Sequence, residues 1–338
     1  MIMGGIKKFL YCSVLVFSTG LILITLLSLI YDLRLWYFKI LDFPRPQYLL
    51  LGILFLFLLI LLIKKWKFPS LFLLLGLIAV IIINGIVIYP YLLGEKSVPD
   101  FRTGIIKPDD TFSVLLANVL IDNRQSEAFL KIIKQQDPDI LLAMEVNDWW
   151  AKELLVLKQN YPYQLEYPLD NAYGMSLYSK LPMKNKEIKF LKHDDVPSFH
   201  VIMTLPSGNF FNFHGIHPVA PVPSKKYPDN VKEEEVALLK IGKLVANNPL
   251  PSIVAGDFND VSWSHTSRMF GQQGNLKNVR IGRGLYNTFD ATSFILRWPL
   301  DHYFVTEEFK LVELERLSKF GSDHFPLYVK LVLEPSHH

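Results

Sequence analysis

The sequence predicts an α/β sandwich of two layered sheets standing behind three membrane-type helices. Three observations predict it. Long apolar runs without a single charge crowd the first third of the 338 residues. Strand-like and helix-like segments then alternate over roughly 230 residues, as layered sheets and helices require. No internal repeat or low-complexity tract interrupts that alternation.

The apolar runs are Phe9 to Tyr31, Tyr48 to Ile63 and Ser70 to Leu93. A bilayer span takes roughly 20 apolar residues, within a range of about 17–25. The first and third runs meet this easily. The second is slightly short, and Trp66 with its neighbouring lysines anchors its end at the interface. Lys7 and Lys8 resemble the basic start of a signal peptide, but the run after them is too long and lacks a small-residue cleavage site. Lys64, Lys65, Trp66, Lys67 and Pro69 read as a tight turn between the second and third spans. Lys7, Lys8, Lys64, Lys65 and Lys67 fall on one side of the membrane. Arg34, Lys39, Arg45, Lys96, Arg102 and Lys107 fall on the other. The dense cluster at 64–67 puts that turn in the cytoplasm, and an odd number of spans then puts everything after Leu93 outside.

Charge divides along the same line. Residues 1–100 carry a net +5 and residues 101–338 a net −2. The second part therefore lacks the basic footprint of a dedicated nucleic-acid binder. The one cysteine, Cys12, lies in the first span, which excludes disulfides and cysteine metal sites.

The expected organisation is a transmembrane region over 1–94, a linker over 95–110 carrying Pro99, Gly104 and Pro108, and a catalytic domain over 111–338. "TFSVLLANVL" reads as a buried strand, and "NRQSEAFLKIIKQQ" has helical spacing at Ala128, Phe129, Ile132 and Ile133. "DPDILLAMEV" is a second strand, introduced by a proline turn. "NDWWAKELLVLKQN" is a helix capped by Asn147 or Asp148. "YGMSLYSK", "SFHVIMTL" and "NFFNFHGIH" are shorter strands, followed by a charged helix from about Asn230 to Ala246. "PSIVAGDFND" is a strand, and a short helix follows near Ser264 to Phe270. "LDHYFVT", "KLVELERLS" and "FPLYVKLVL" close the chain as strands.

Polar residues collect where these apolar strands stop. The ends carry Asn118, Glu145, His217, and Asp257 with Asn259; Asp301 and His302 sit at one strand start, and Asp323 and His324 precede the last. Each has an ordinary reading as a turn residue, a helix cap or a strand-edge charge. Together they form a chemical set. Carboxylates and amides without thiols are ligands for a hard ion such as Mg²⁺. Imidazoles beside carboxylates are the parts of general acid–base catalysis. One metal with a His–Asp pair suits attack by water on a phosphoryl group.

In this order and spacing, "LLANVL", "LLAMEV", "AGDFND", "LDHYF" and "SDHFPL" resemble the endonuclease/exonuclease/phosphatase superfamily over roughly residues 110–333. That group includes pancreatic-type deoxyribonucleases, abasic-site endonucleases, sphingomyelinases and inositol polyphosphate 5-phosphatases. The apolar front end and "DNAYGMSLYSK" further resemble bacterial membrane-anchored members, some associated with glycopeptide resistance. The resemblance implies a four-layer sandwich of two packed mixed β-sheets flanked by helices, preceded by the three-helix transmembrane region. It implies metal binding by Asn118, Glu145 and Asp323, with Glu145 the principal ligand. Asp257 and Asn259 match the pair that handles the attacking water or leaving group. His324 matches the histidine beside the scissile phosphate, and Asp301 the carboxylate that orients it. His217 matches a second catalytic histidine, with His214 as its rival, and Asn171 falls where many members contact substrate. His302 departs from the tyrosine frequent at its position. Mg²⁺ is the expected cofactor, with Mn²⁺ or Ca²⁺ as alternatives.

The expected enzyme is a metal-dependent phosphoric ester hydrolase in the bacterial inner membrane, its catalytic domain outside. A site tethered near headgroups favours a lipid phosphate, lipid pyrophosphate or phospholipid headgroup as substrate. "MEVNDWW" and "GRGLYNTFDATSFILRWP" offer contacts to membrane or acyl chain, although Trp149, Trp150 and Trp298 equally suit ordinary packing. The alternatives are an extracytoplasmic nuclease and a non-catalytic membrane receptor or scaffold of the same fold.

Overall fold

The long apolar runs near the start of the chain fold as helices, which pair their backbone groups within one segment. The computed structural model describes residues 2–30, 35–63, 65–101, 108–229 and 236–334. Helices α1 (Ile2–Leu27), α3 (Arg45–Leu62) and α4 (Phe68–Leu92) are long; α2 (Trp36–Lys39) is a single turn. Segments 5–27, 45–62 and 68–92 of the long helices are long and apolar enough to cross a membrane. Each begins a few residues before the apolar run that predicts it. Pro69 belongs to the first turn of α4, where its fixed φ and missing N–H are tolerated. Tyr31 and Lys64 lie outside the described residues. The three helices pack on Val14, Leu21, Tyr48, Leu59, Leu73, Leu77 and Val80. At one end of this bundle Arg45 is buried, and its guanidinium is matched by Asp42 Oδ1 at 2.6 Å, Ser28 O at 3.0 Å and Asn84 Oδ1 at 3.3 Å. A buried charge demands such partners.

The rest of the chain forms two six-stranded sheets. The strands are β1 (Thr111–Asn118), β2 (Ile140–Met144), β3 (Tyr163–Tyr167), β4 (Met175–Ser179), β5 (Met183–Phe190) and β6 (Pro197–Thr204). They continue with β7 (Phe210–Ile216), β8 (Ser252–Asp257), β9 (Lys277–Asn278), β10 (Asp301–Val305), β11 (Phe309–Arg316) and β12 (Leu327–Leu333). The first sheet runs β11-β12-β1-β2-β4-β3 and the second β5-β6-β7-β8-β10-β9. Each has one parallel pair at its centre, β1 with β2 and β7 with β8; the other pairings are antiparallel. The inner faces meet in one core that includes Phe112, Leu142, Phe199, Phe213, Ile253 and Leu331. Phe112 stacks on Phe211 across it at 4.6 Å, and the Tyr303 hydroxyl crosses from β10 to donate to Val114 O or Leu327 O of the first sheet.

Helices cover both outer faces. On the first sheet lie α5 (Ser126–Gln136) and α6 (Asp148–Glu153), with Phe129, Ile133 and Trp150 inward. Asn147 is the cap of α6, accepting from Trp150 N at 3.0 Å. On the second sheet lie α7 (Val236–Ala246) and α8 (His265–Gln273), through Leu238, Ile241 and Phe270. The charged start expected for α7, residues 230–235, lies outside the described residues. Three strands have no counterpart in the sequence reading: β3, β5 and β9. In β5 Lys184, Asn185, Lys186 and Glu187 are exposed, because it is an edge strand blunted by charge.

The bundle is docked on the sandwich. Tyr91 near the end of α4 donates its hydroxyl to Ser262 O at 2.8 Å, and Trp263 Nε1 donates to Asp42 O at 2.7 Å. Ile88, Tyr91, Val261, Trp263 and Leu300 are buried together at this junction. Residues 95–101, expected as linker, are packed as well: Val98 is buried in the inter-sheet core and Asp100 bridges to Leu311.

Gly256 controls the approach of β7 to β8. Its φ is +155°, and an added Cβ would stand 1.7 Å from Ile216 O, where only glycine fits. Gly256→Ala is expected to lower stability by at least about 2 kcal/mol, read as a lower midpoint of thermal unfolding in detergent; an unchanged midpoint refutes the account.

Candidate active site

The parallel register of β1 and β2 sets Asn118 beside Met144, so Glu145 stands one residue past the sheet edge. Its φ of +61° turns the chain sharply there, a strained backbone of the kind found at functional sites. In the second sheet Asp257, the last residue of β8, pairs with Asp301, the first of β10. Both sheets thus deliver acids to the same rim.

Asn118 joins the two sets. Its Nδ2 donates to Glu145 Oε1 at 2.8 Å and to Asp257 Oδ2 at 3.1 Å, while its Oδ1 accepts from Leu120 N at 3.0 Å. Glu145 Oε2 accepts from Ile121 N at 3.1 Å. Around Asp257 Oδ2 stand His324 Nε2 at 3.5 Å and His217 Nε2 at 3.7 Å. His324 Nδ1 lies 2.8 Å from Asp301 Oδ2. Asn259, with φ +51°, donates its backbone N–H to Asp257 Oδ1 at 2.8 Å and its Nδ2 to Pro218 O at 2.9 Å. Asp323, partly exposed, adjoins His324.

Electrostatics divides the two histidines. Burial disfavours the imidazolium of His324, but Asp301 and Asp257 outweigh it and raise its pKa to about 10. Burial lowers His217 to about 4 despite Asp257. One ring is therefore a proton donor and the other neutral at pH 7, the separation expected of acid–base partners. Burial also raises Asp257 and Asp323, against the pull of His324. Glu145 is raised to about 7 by burial, opposed by its hydrogen bonds from Asn118 and Ile121.

Among the site residues read from sequence, Asn118, Glu145, His217, Asp257, Asn259, Asp301, Asp323 and His324 share this rim. The Asn171 carboxamide accepts from Tyr173 N at 3.0 Å within a tight turn and donates to Asp195 O at 2.8 Å in the β5–β6 connection. Its neighbours Ala172 and Tyr173 line the active-site cleft of about 240 Å³, together with Glu145, His217 and Asn259. His214 bonds His200 at 2.8 Å between ring nitrogens, away from the acids. His302 is buried behind the rim, with Nδ1 2.6 Å from Arg280 Nη1 and Nε2 2.8 Å from Asp260 O. Trp150 lies in the core of the first sheet, not toward a membrane.

Three contributors lie inside the quoted motifs but are assigned no role there. The Ser322 hydroxyl donates to Asn118 O at 2.8 Å and accepts from His324 N at 3.0 Å, tying two motifs together. The Tyr173 ring lies 5.0 Å from that of His217. Met144 Sδ receives the N–H of Asp257 at 3.1 Å.

The oxygen donors suit a hard cation. Each Glu145 oxygen takes a single hydrogen bond and keeps lone pairs for a metal. Asp257, Asp301 and His324 also bring ligand atoms within 4.8 Å of one another, a spacing at which three groups can hold one ion. A protonated His324 has no lone pair to give, so the Glu145 side is the better fit.

Carboxylates, amides and two histidines of opposite protonation around one rim are the equipment for hydrolysing a phosphoric ester with water. A profile of the Endonuclease/Exonuclease/phosphatase family matches residues 114–324, and the chain belongs to that family of metal-dependent phosphoric ester hydrolases. Among curated proteins no sequence matches the chain. Solved structures share the fold. A family member from Beutenbergia cavernae superposes with TM-score 0.54 at 16% identity, over 67% of this chain and 72% of that one. The human Nocturnin catalytic domain with bound sulfate gives 0.52 at 16% identity, over 66% and 95%. D. rerio TDP2 complexed with a single-strand DNA product gives 0.53 at 16% identity, over 66% and 99%.

Because Glu145 holds a proton until about pH 7, a cation binding there must displace it at lower pH. Calorimetric Mg²⁺ titrations in buffers of different ionisation heat should show about one proton released near pH 6 and little above pH 8. Glu145→Gln should abolish the release; equal release at both pH values contradicts the assignment.

Proposed function

We propose that the chain is a membrane-anchored Mg²⁺-dependent phosphoesterase that hydrolyses a phosphate ester or anhydride in a lipid-linked substrate by direct attack of water. The substrate class is a lipid phosphate, lipid pyrophosphate or phospholipid headgroup. One observation carries this reading. Asn259 lines the active-site cleft and also a second, narrower cleft of about 80 Å³, whose other wall is the end of the apolar bundle: Ser28, Ile30, Phe38, Lys39 and Asp42. A headgroup at the level of those residues is a neighbour of the catalytic rim.

Glu145 would hold the Mg²⁺, with Asn118 and Asp323 beside it; Mn²⁺ and Ca²⁺ suit the same oxygen donors. Bound there, the cation supplies charge neutralisation at a phosphate oxygen. Asp257, whose pKa burial raises, takes the proton of the attacking water. Asp301 is a positioning residue that accepts from His324 Nδ1–H, orients the ring and keeps it charged, so that His324 donates a hydrogen bond to the phosphate. Neutral His217 steadies a second phosphate oxygen through Nε2–H, and Asn259 orients the water or leaving group.

The same fold carries a DNA product in the TDP2 structure, so nuclease activity is the competing outcome. The net −2 of residues 101–338 weighs against it. Purified protein assayed with Mg²⁺ or chelator should hydrolyse lipid pyrophosphates or phospholipids and leave plasmid DNA intact. Metal-dependent nicking of plasmid without lipid turnover overturns the substrate assignment. Asp257→Asn should cut turnover by roughly 10²–10⁴-fold while unfolding normally.

The basic residues at 64–67 support a catalytic half outside a bacterial cytoplasmic membrane. Protease added to intact spheroplasts should then digest residues 111–338; protection until the membrane is broken reverses the orientation.

A further inference from the structure

Three consecutive apolar side chains in the loop between β9 and β10 point into open space. Phe294 is 91% exposed, Ile295 76% and Leu296 53%. Scattered exposed apolar residues need no explanation, but a contiguous group marks an interaction surface. The loop around them is ordered by its own bonds. Thr292 N and Oγ1 donate to Asp290 Oδ1 at 2.7 and 2.6 Å, and Leu296 N donates to Ser293 Oγ at 2.9 Å. The Arg297 guanidinium lies over Phe294 on one side and Phe325 on the other, 5.3 and 5.0 Å from the ring centres. The side chains are thus held outward by a closed turn.

The position of this turn identifies what covers it. Gln47, in the first turn of α3, donates its Nε2 to Ile295 O at 3.0 Å. Phe43, just before α3, meets Trp298 edge-on at 5.8 Å. The loop is therefore fastened to the first turn of a helix long and apolar enough to cross a membrane. Leu50, one turn further along α3, is 67% exposed, as a lipid-facing residue would be. At a rise of about 1.5 Å per residue, the loop stands within a turn or so of where the apolar span begins, the depth of headgroups and upper acyl chains.

We propose that residues 293–297 form a membrane-docking loop whose Phe294, Ile295 and Leu296 enter the headgroup–acyl boundary beside α3. The inference rests on the reading of α1, α3 and α4 as membrane spans. Its occupant is lipid, because the surface continues that of a span and its backbone is tied to it. The loop also has catalytic roots. Ala291 N donates to Asp323 O at 2.7 Å, Phe325 N donates to Thr288 O at 2.8 Å, and the Phe289 ring lies 5.0 Å from His324. Docking sets the Asp323–His324 end of the site against the headgroup layer, and the apolar loop becomes a third support beside α3 and α4.

The test reads depth, not turnover. In full-length protein with Cys12→Ser, the sole native thiol is removed. Single cysteines at Ile295, at Leu54 in mid-α3 and at Ser207 in the β6–β7 turn are labelled with an environment-sensitive fluorophore. The variants are placed in nanodiscs of phosphatidylethanolamine and phosphatidylglycerol. Lipids carrying a nitroxide high on the acyl chain should quench the probe at 295 by roughly half and blue-shift it, with little effect at 207. Aqueous iodide should show the reverse order. If the probe at 54 is in lipid but that at 295 is quenched by iodide like that at 207, the loop proposal fails and the membrane reading stands. A probe at 295 shielded from both quenchers means a protein partner covers the loop, which also overturns the proposal. If the probe at 54 is outside lipid, the membrane reading itself fails.

Discussion

Asp257 carries a charge that no single strand can satisfy. Its Oδ2 draws on Asn118 from the other sheet and faces two histidines, one following β7 and one preceding β12. A buried carboxylate stripped of partners costs several kcal/mol, so the sheets must end level at this rim. That requirement explains features that otherwise look unrelated. Gly256 lets β8 lie close against β7 immediately before the acid. Met144 fills the space beneath the Asp257 amide. Tyr303 spans the core to fix one sheet against the other. The core between the sheets is thus a positioning device as well as a source of stability.

The same constraint sorts the proton inventory. Two carboxylates flank His324 and keep it charged, while His217 sees a balance dominated by burial and stays neutral. The distinction comes from Asp301, whose place opposite Asp257 follows from antiparallel register alone. A chemical difference between identical side chains therefore originates in backbone pairing. Glu145 stands at the opposite side of Asn118, uncompensated by any histidine in direct contact among the described residues, which is the circumstance that invites a cation.

Much of this was legible in the amino-acid sequence, for a physical reason. Apolar strands that stop at acids advertise both the strand and its functional end, as at Asn118, Glu145 and Asp257. What could not be read depends on distant contacts. Ser322 opens the SDHFPL motif, but that it acts on Asn118, 204 residues away, is announced by no local pattern. β5 was missed because an exposed edge rich in lysine looks like a loop. Asn171 sits beside cleft-lining Ala172 and Tyr173, and that its carboxamide bonds Asp195 O, 24 residues on, had no local signal. Trp149 and Trp150 posed a choice between lipid and core that only packing decides, and Trp150 went inward. The exposed residues of that kind are instead Phe294 to Leu296, inside a segment whose aromatic content was noticed but whose orientation was not readable.

Val98 is fully buried in the sandwich only a short way beyond Leu92, the last residue of α4. The connection has no slack. On the membrane reading, such a leash denies the enzyme any reach toward an apposed bilayer. If the proposed lipid-linked substrate is right, the enzyme meets it only by lateral diffusion in the leaflet it occupies. Encounter is then governed by the surface density of substrate, and diluting that substrate with inert lipid starves the enzyme even when the total amount in the sample is unchanged.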